Sequence, residues 1–150
     1  MPRHRSPLLY GIRTPGCLVL FFCLFVLTGL GAQVNLKIEI RHLESARGDI
    51  LLEVLDRNEQ TLRAFIQTLD STTVRIDIPD MDPGTYAVKF FHDSNANGIL
   101  DLSRIGIPLE GFGFSNNAYG LFMPKKFGEW LFRISGDTTI CLTPKYLKFP

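Results

Sequence analysis

The sequence predicts an all-β protein: an antiparallel Greek-key β-sandwich, immunoglobulin- or prealbumin-like, with one long structured loop. Three observations lead there. Apolar residues recur at every second position in about seven short runs, the mark of half-buried strands. Turn-forming clusters separate the runs: Arg47-Gly48-Asp49, residues 80–84 and Gly136-Asp137. No window of helical length carries an apolar stripe with a period of 3.6. Short strands at regular turn spacing build two packed sheets, with a closed barrel as the competing arrangement.

The chain opens on a different kind of segment. Arg3, Arg5 and Arg13 form a positive stretch without an acidic residue, and residues 17–30 are an uncharged apolar run. That run has the length of a signal-peptide core and is short for a membrane span, which needs about 20 residues. Gly29, Gly31 and Ala32 supply the small side chains that a signal peptidase requires. The reading is a signal peptide over residues 1–32 and a single β-sandwich domain over 33–150. A retained single-span anchor is the alternative, opposed by Arg13 and Pro15. A lipoprotein would place its acceptor Cys directly after the apolar run, and none stands there.

The strands follow in order. Val34, Leu36, Ile38 and Ile40 share one face of the run 34–40, with Asn35, Lys37 and Glu39 on the other. Ile50, Leu52 and Val54 do the same in 50–55. A third strand spans 63–69. Val74, Ile76 and Ile78 alternate in 73–78, and Tyr86, Val88 and Phe90 in 85–92. Near the C-terminus Trp130, Phe132 and Ile134 alternate with Glu129, Leu131 and Arg133, and Ile140 and Leu142 begin a last strand. In Asp82-Pro83-Gly84-Thr85-Tyr86, a tight turn feeds a Tyr just inside the next strand. A phenol there can bond back across the connection, as a tyrosine corner does; a plain core Tyr gives the same fold.

Composition excludes some functions. The first 32 residues hold three of the 16 Lys+Arg and none of the 15 Asp+Glu, so residues 33–150 carry 13 basic against 15 acidic side chains. A net charge of −2 lacks the basic excess of a nucleic-acid binder. Cys17 and Cys23 leave with the signal, so Cys141 is a free thiol with no internal disulfide partner. Alternation turns it away from Ile140 and Leu142. No Asn-x-Ser/Thr sequon occurs.

Residues 93–126 break the alternation. A loop of that length is uncommon in a compact domain and is usually functional or disordered. This one carries Ile99, Leu100, Leu102, Ile105, Ile107, Leu109, Phe112 and Phe114, an apolar content that should pack on the sandwich. It begins Asp93-Ser94-Asn95-Ala96-Asn97-Gly98-Ile99-Leu100-Asp101, the opening of a D-x-[DN]-x-[DN]-G calcium loop. Calcium takes roughly six to eight oxygen ligands. Asp93, Asn95 and Asn97 aim oxygens at one centre, Gly98 permits the sharp turn, the Ile99 carbonyl is a backbone ligand and Asp101 a later carboxylate. Arg104 stands where an EF-hand has its bidentate Glu, and the entering segment is a strand. The site is therefore no EF-hand; Glu110 would arrive from downstream as a further carboxylate. The competing reading is a metal-free Asx turn around Asn97-Gly98.

Taken together, Pro83-Gly84-Thr85-Tyr86-Ala87, His92-Asp93 through Asn97-Gly98 and Asp101, and residues 106–118 (GIPLEGFGFSNNA) resemble the bacterial domain of unknown function 2141. The resemblance covers essentially all of the chain after the signal, with its specific motifs in the central fifty or so residues. It implies an exported bacterial β-sandwich and no established activity. The segment after Pro124, with Lys125, Lys126 and Trp130, departs from the pattern.

The remaining chemistry is sparse. His92 and His42 read as structural residues. Asp93, Asp101 and Glu110 contain a formal glycosidase pair, but carboxylates set among Asn and Gly suit metal better. Ser115 lacks the G-x-S-x-G setting of a nucleophile elbow. The sequence therefore points to an extracytoplasmic module, periplasmic or secreted, with calcium as its cofactor and a protein or carbohydrate ligand as its partner. It binds no nucleic acid and keeps no stable membrane span once the signal is cleaved. An extracytoplasmic hydrolase using the loop carboxylates and a structural component of an envelope complex, docking through sheet edges, are the alternatives.

Overall fold

The computed structural model describes residues 32–120 and 124–147. The signal-peptide reading falls outside them, except for its last residue.

Among the described residues there are eight strands, and all but the third bury side chains. They are β1 (Val34–Ile40), β2 (Asp49–Asp56), β3 (Thr61–Thr68), β4 (Val74–Met81), β5 (Gly84–Asp93), β6 (Gly111–Phe114), β7 (Phe132–Ile134) and β8 (Thr138–Leu142). One sheet has the order β4-β1-β8, the other β3-β2-β5-β6, with β7 also paired to β5 at Gly84–Tyr86. The inner faces meet in one apolar core. Leu36, Ile38 and Ile40 from β1 lie against Ile50, Leu52 and Val54 from β2 and Val88 and Phe90 from β5, all buried. The two-layer all-β reading is correct.

Three details differ from the sequence reading. The sheets are antiparallel except for β1 and β8, which run parallel with Ile38 opposite Ile140. β8 reaches β1 from the other sheet through the turn after Ile134, so no hairpin sets its direction. The run around Trp130 is a strand only from Phe132. Phe127–Glu129 is a 3₁₀ turn, and Trp130 stacks on Phe114 at 4.0 Å while its Nε1–H donates to the Lys125 carbonyl. The third difference is β6, inside what reads as loop. Its Gly-Phe-Gly-Phe sequence also alternates, but glycine occupies one of the two faces. A Cβ on Gly113 would lie 2.5 Å from the Phe90 ring, and one on Gly111 would lie 2.3 Å from the Tyr146 ring. Only glycine lets those rings pack there.

The second sheet also buries apolar side chains on its outer face. Leu55, Ala87, Ala118 and Trp130 make a separate buried cluster on its outer side. At the other end of β5, Tyr86 donates its hydroxyl to the Asp82 carbonyl at 2.8 Å, the tyrosine-corner bond.

Candidate functional site

The loop grows from the end of β5. Asp93 is fully buried. Its neighbour across the sheet entry is Gly48, whose φ of +81° and bare Cα let the Asp93 carbonyl approach; a Cβ on Gly48 would lie 2.0 Å from that oxygen. Thus held, the Asp93 carboxylate gathers the next turn. Oδ1 accepts from the Asn97 amide at 3.0 Å and Oδ2 from the Gly98 amide at 2.6 Å. Asn95 Oδ1 accepts from the Asn97 amide, and Asn97 Oδ1 from the Ile99 amide. These closures need left-handed backbone at Ala96 (φ 57°) and Gly98 (φ 81°), which Gly adopts freely.

Asp101 completes the ring. Its carboxylate receives the side-chain amide of Asn95 at 2.7 Å and that of Asn97 at 3.2 Å. The structure thus brings together Asp93, Asn95, Asn97 and Asp101, four of the six residues singled out in the sequence. Ile99 sits at the exposed tip of the same turn. Glu110 has a different place. It is buried, and its carboxylate braces the loop from behind: Oε1 accepts the Ser94 amide at 2.9 Å and Oε2 the Asp101 amide at 3.1 Å. The Leu109 amide returns to the Asp101 carbonyl at 2.9 Å and ties the two limbs together.

The donor set suits a hard cation. It is two carboxylates and two carboxamides, all oxygen, without thiol or imidazole. No group of three or more His, Cys, Asp or Glu side chains placed to hold a metal occurs among the described residues, so the oxygens beyond Asp93 and Asp101 would be those of Asn95, Asn97 and backbone carbonyls. Each amide oxygen that accepts one N–H keeps a second lone pair. The same hydrogen bonds also close the turn without metal, as in the Asx-turn reading.

His92 is structural in its contacts. The Arg47 carbonyl can only accept, so Nε2 donates to it at 2.8 Å, and Nδ1 receives the Tyr146 hydroxyl at 2.7 Å. That hydroxyl in turn accepts from the Glu44 amide. Burial raises the Tyr146 pKa above its ordinary value. Ser115 is also buried in a structural role, accepting from the Val88 amide and donating to the Trp130 carbonyl. Tyr146 as partner of His92 carried no sequence signal, since it lies 54 residues away.

Not all of the loop's apolar content packs inward. Ile99, Leu102, Ile105 and Leu109 are 53–80% exposed, against the expectation that they join the sandwich. Their turns are closed by polar contacts, such as Ser103 receiving the Ile107 amide, which leaves the side chains outside.

A family model described as "Uncharacterized protein conserved in bacteria (DUF2141)" matches residues 38–141. The chain belongs to this family. The match takes in strands β2 to β7 whole, the C-terminal part of β1, β8 up to Cys141 and the entire loop. The family's description assigns no activity. Neither the curated proteins nor the solved structures contain a match to the chain. No helix among the described residues is long and apolar enough to cross a membrane.

Proposed function

We propose that this DUF2141 protein is an exported, non-enzymatic β-sandwich module whose loop 93–110 binds calcium and holds a surface toward a ligand or protein partner. The observation that supports it is the convergence of Asp93, Asn95, Asn97 and Asp101 on one turn, braced by Glu110 and topped by the exposed Ile99, Leu102, Ile105 and Leu109. Large apolar side chains kept in water on a polar-built loop are typical of contact surfaces. The arginine-rich start and apolar run of residues 1–32 support an extracytoplasmic site of action. A module with only two carboxylate ligands would bind weakly, with a Kd of about 10⁻⁴–10⁻³ M, which suits calcium levels outside the cell.

The hydrolase alternative gains nothing from the geometry. Asp93 and Glu110 are buried with their oxygens on backbone amides, whereas acid–base carboxylates must reach substrate across a cleft.

The test is thermal unfolding in excess calcium and in chelator. Calcium at about 100 times its Kd should add about 2.7 kcal/mol by mass action. Asp101→Asn, which removes a ligand charge at a half-buried position, should abolish the shift and keep the fold. A melting temperature that ignores calcium, or a shift that survives Asp101→Asn, refutes the site.

A further inference from the structure

The outer face of the second sheet is also a groove. Strand register lays a row of apolar side chains across it: Ile66 opposite Leu51, Leu51 opposite Phe91, Phe91 opposite Phe112. Leu100 and Pro108 of the loop and Pro124 line it too, and its volume is about 610 Å³. Small-molecule sites run to roughly 300–1,000 Å³. Ile66 on the rim is 72% exposed.

Two features define what fits. The charged side chains lining the groove are Glu53 and Lys89, and they pair with each other at 3.2 Å, with Glu53 also accepting the Thr61 hydroxyl. Among the described lining residues a charged ligand finds no uncompensated counter-charge. The floor is a sheet face, not an edge: β2 and β5 are paired on both sides, and the far side of β6 is bridged by reciprocal bonds between Phe112 and Lys145. A peptide or sugar would press its own polar groups against apolar walls without partners, and each group so buried opposes binding. A hydrocarbon or aromatic body carries no such cost, and the Phe91, Phe112 and Phe114 rings offer it edges and faces to pack on.

We infer that this groove binds a small, uncharged, apolar molecule with an aromatic or hydrocarbon body. The inference goes beyond the exposed loop tips by adding a second surface, with its ligand class, to the reading of a binding module. It rests on the fold of the loop, not on the cation.

The experiment is fluorescence titration of the purified protein with the neutral probe N-phenyl-1-naphthylamine, in calcium and in chelator, with sedimentation velocity alongside. The groove predicts saturable enhancement at one site. Ala64→Arg with Ile66→Ser, two changes at exposed rim positions of the edge strand, should weaken binding about tenfold or more while melting stays within a few degrees of the parent. No saturable binding, or equal binding by the double variant, overturns the inference. So does a concentration-dependent dimer that excludes the probe, since the occupant is then a second copy. Binding in both conditions with a melting temperature blind to calcium leaves the groove standing and removes the metal. A calcium shift without probe binding does the reverse.

Discussion

Gly48 and Gly98 share a φ of +81° but not their surroundings, and replacing each by Ala separates two costs that usually come together. A Cβ in left-handed backbone costs about 1–2 kcal/mol. Ala also restricts the unfolded chain, which returns about 0.4–1 kcal/mol. At Gly98 nothing lies within 4 Å of the new carbon, so the net loss should be about 1 kcal/mol. At Gly48 the carbon would meet the Asp93 carbonyl oxygen at 2.0 Å and the Ser94 Cα at 2.8 Å. Both are backbone atoms at the root of the loop and cannot swing aside as a side-chain tip would. Overpacking of this kind adds about 1–3 kcal/mol, and its upper end applies here. Gly48→Ala should therefore cost about 3–4 kcal/mol in urea unfolding. At roughly 4 °C per kcal/mol for a domain of this size, it should melt about 8–12 °C below Gly98→Ala. Two variants within about 0.5 kcal/mol of each other would refute the close packing of Gly48 on Asp93, and with it the account of how the loop is anchored.

Three further outcomes are expected, two from the structure and one from the sequence. Tyr86→Phe should cost about 1 kcal/mol by losing the bond to the Asp82 carbonyl, while Tyr86→Ala should cost about 3–5 kcal/mol by emptying a buried ring site; equal losses would deny the corner its hydrogen bond. The Arg41 guanidinium, with Arg75 beside it, holds the Glu39 carboxyl below its ordinary 4.5, so its stabilisation is complete above that value and is lost as pH falls through the lowered one. Asp56 and Asp137 are lowered by the amides of Gln60 and Asn35 and act with the same sign, so Glu39→Gln should shallow the acid limb of stability against pH without abolishing it; an unchanged limb would remove Glu39 from the account. Intact mass of the protein from its native envelope should show a chain beginning near Gln33, and recovery of Met1 would refute export with cleavage.

The sandwich was legible where a strand has one wet face. Residues 34–40 alternate because Asn35, Lys37 and Glu39 face away from the core, and the strand appears with those bounds. β6 was hidden because Gly111 and Gly113 leave its inner face without side chains, although the reason for those glycines is the Phe90 and Tyr146 rings above them. The groove was hidden for a related reason. Leu51, Phe91 and Phe112 lie far apart in the chain, and only the register of β2, β5 and β6 sets them in one row. The parallel placing of β8 beside β1 likewise has no local signal. In the candidate site, the side chains that repeat at short spacing, Asp93, Asn95, Asn97 and Asp101, were readable together because a single turn carries them. Glu110 was readable as a participant but not as a brace, since its partners are the backbone amides of Ser94 and Asp101. Cys141 was placed correctly: it is exposed and free, on the opposite face from Leu142, with its thiol 3.7 Å from Glu39.

A crystal structure grown in millimolar calcium decides whether loop 93–110 holds the cation proposed for it. One cation is expected within about 2.3–2.6 Å of oxygens from Asp93, Asn95, Asn97 and Asp101 and of the Ile99 carbonyl, with Glu110 still on the Ser94 and Asp101 amides or turned inward as a further ligand. A well-ordered loop in that crystal with no cation, and with the Asn95 and Asn97 amides still donating to Asp101, would contradict it and leave a hydrogen-bonded turn in its place.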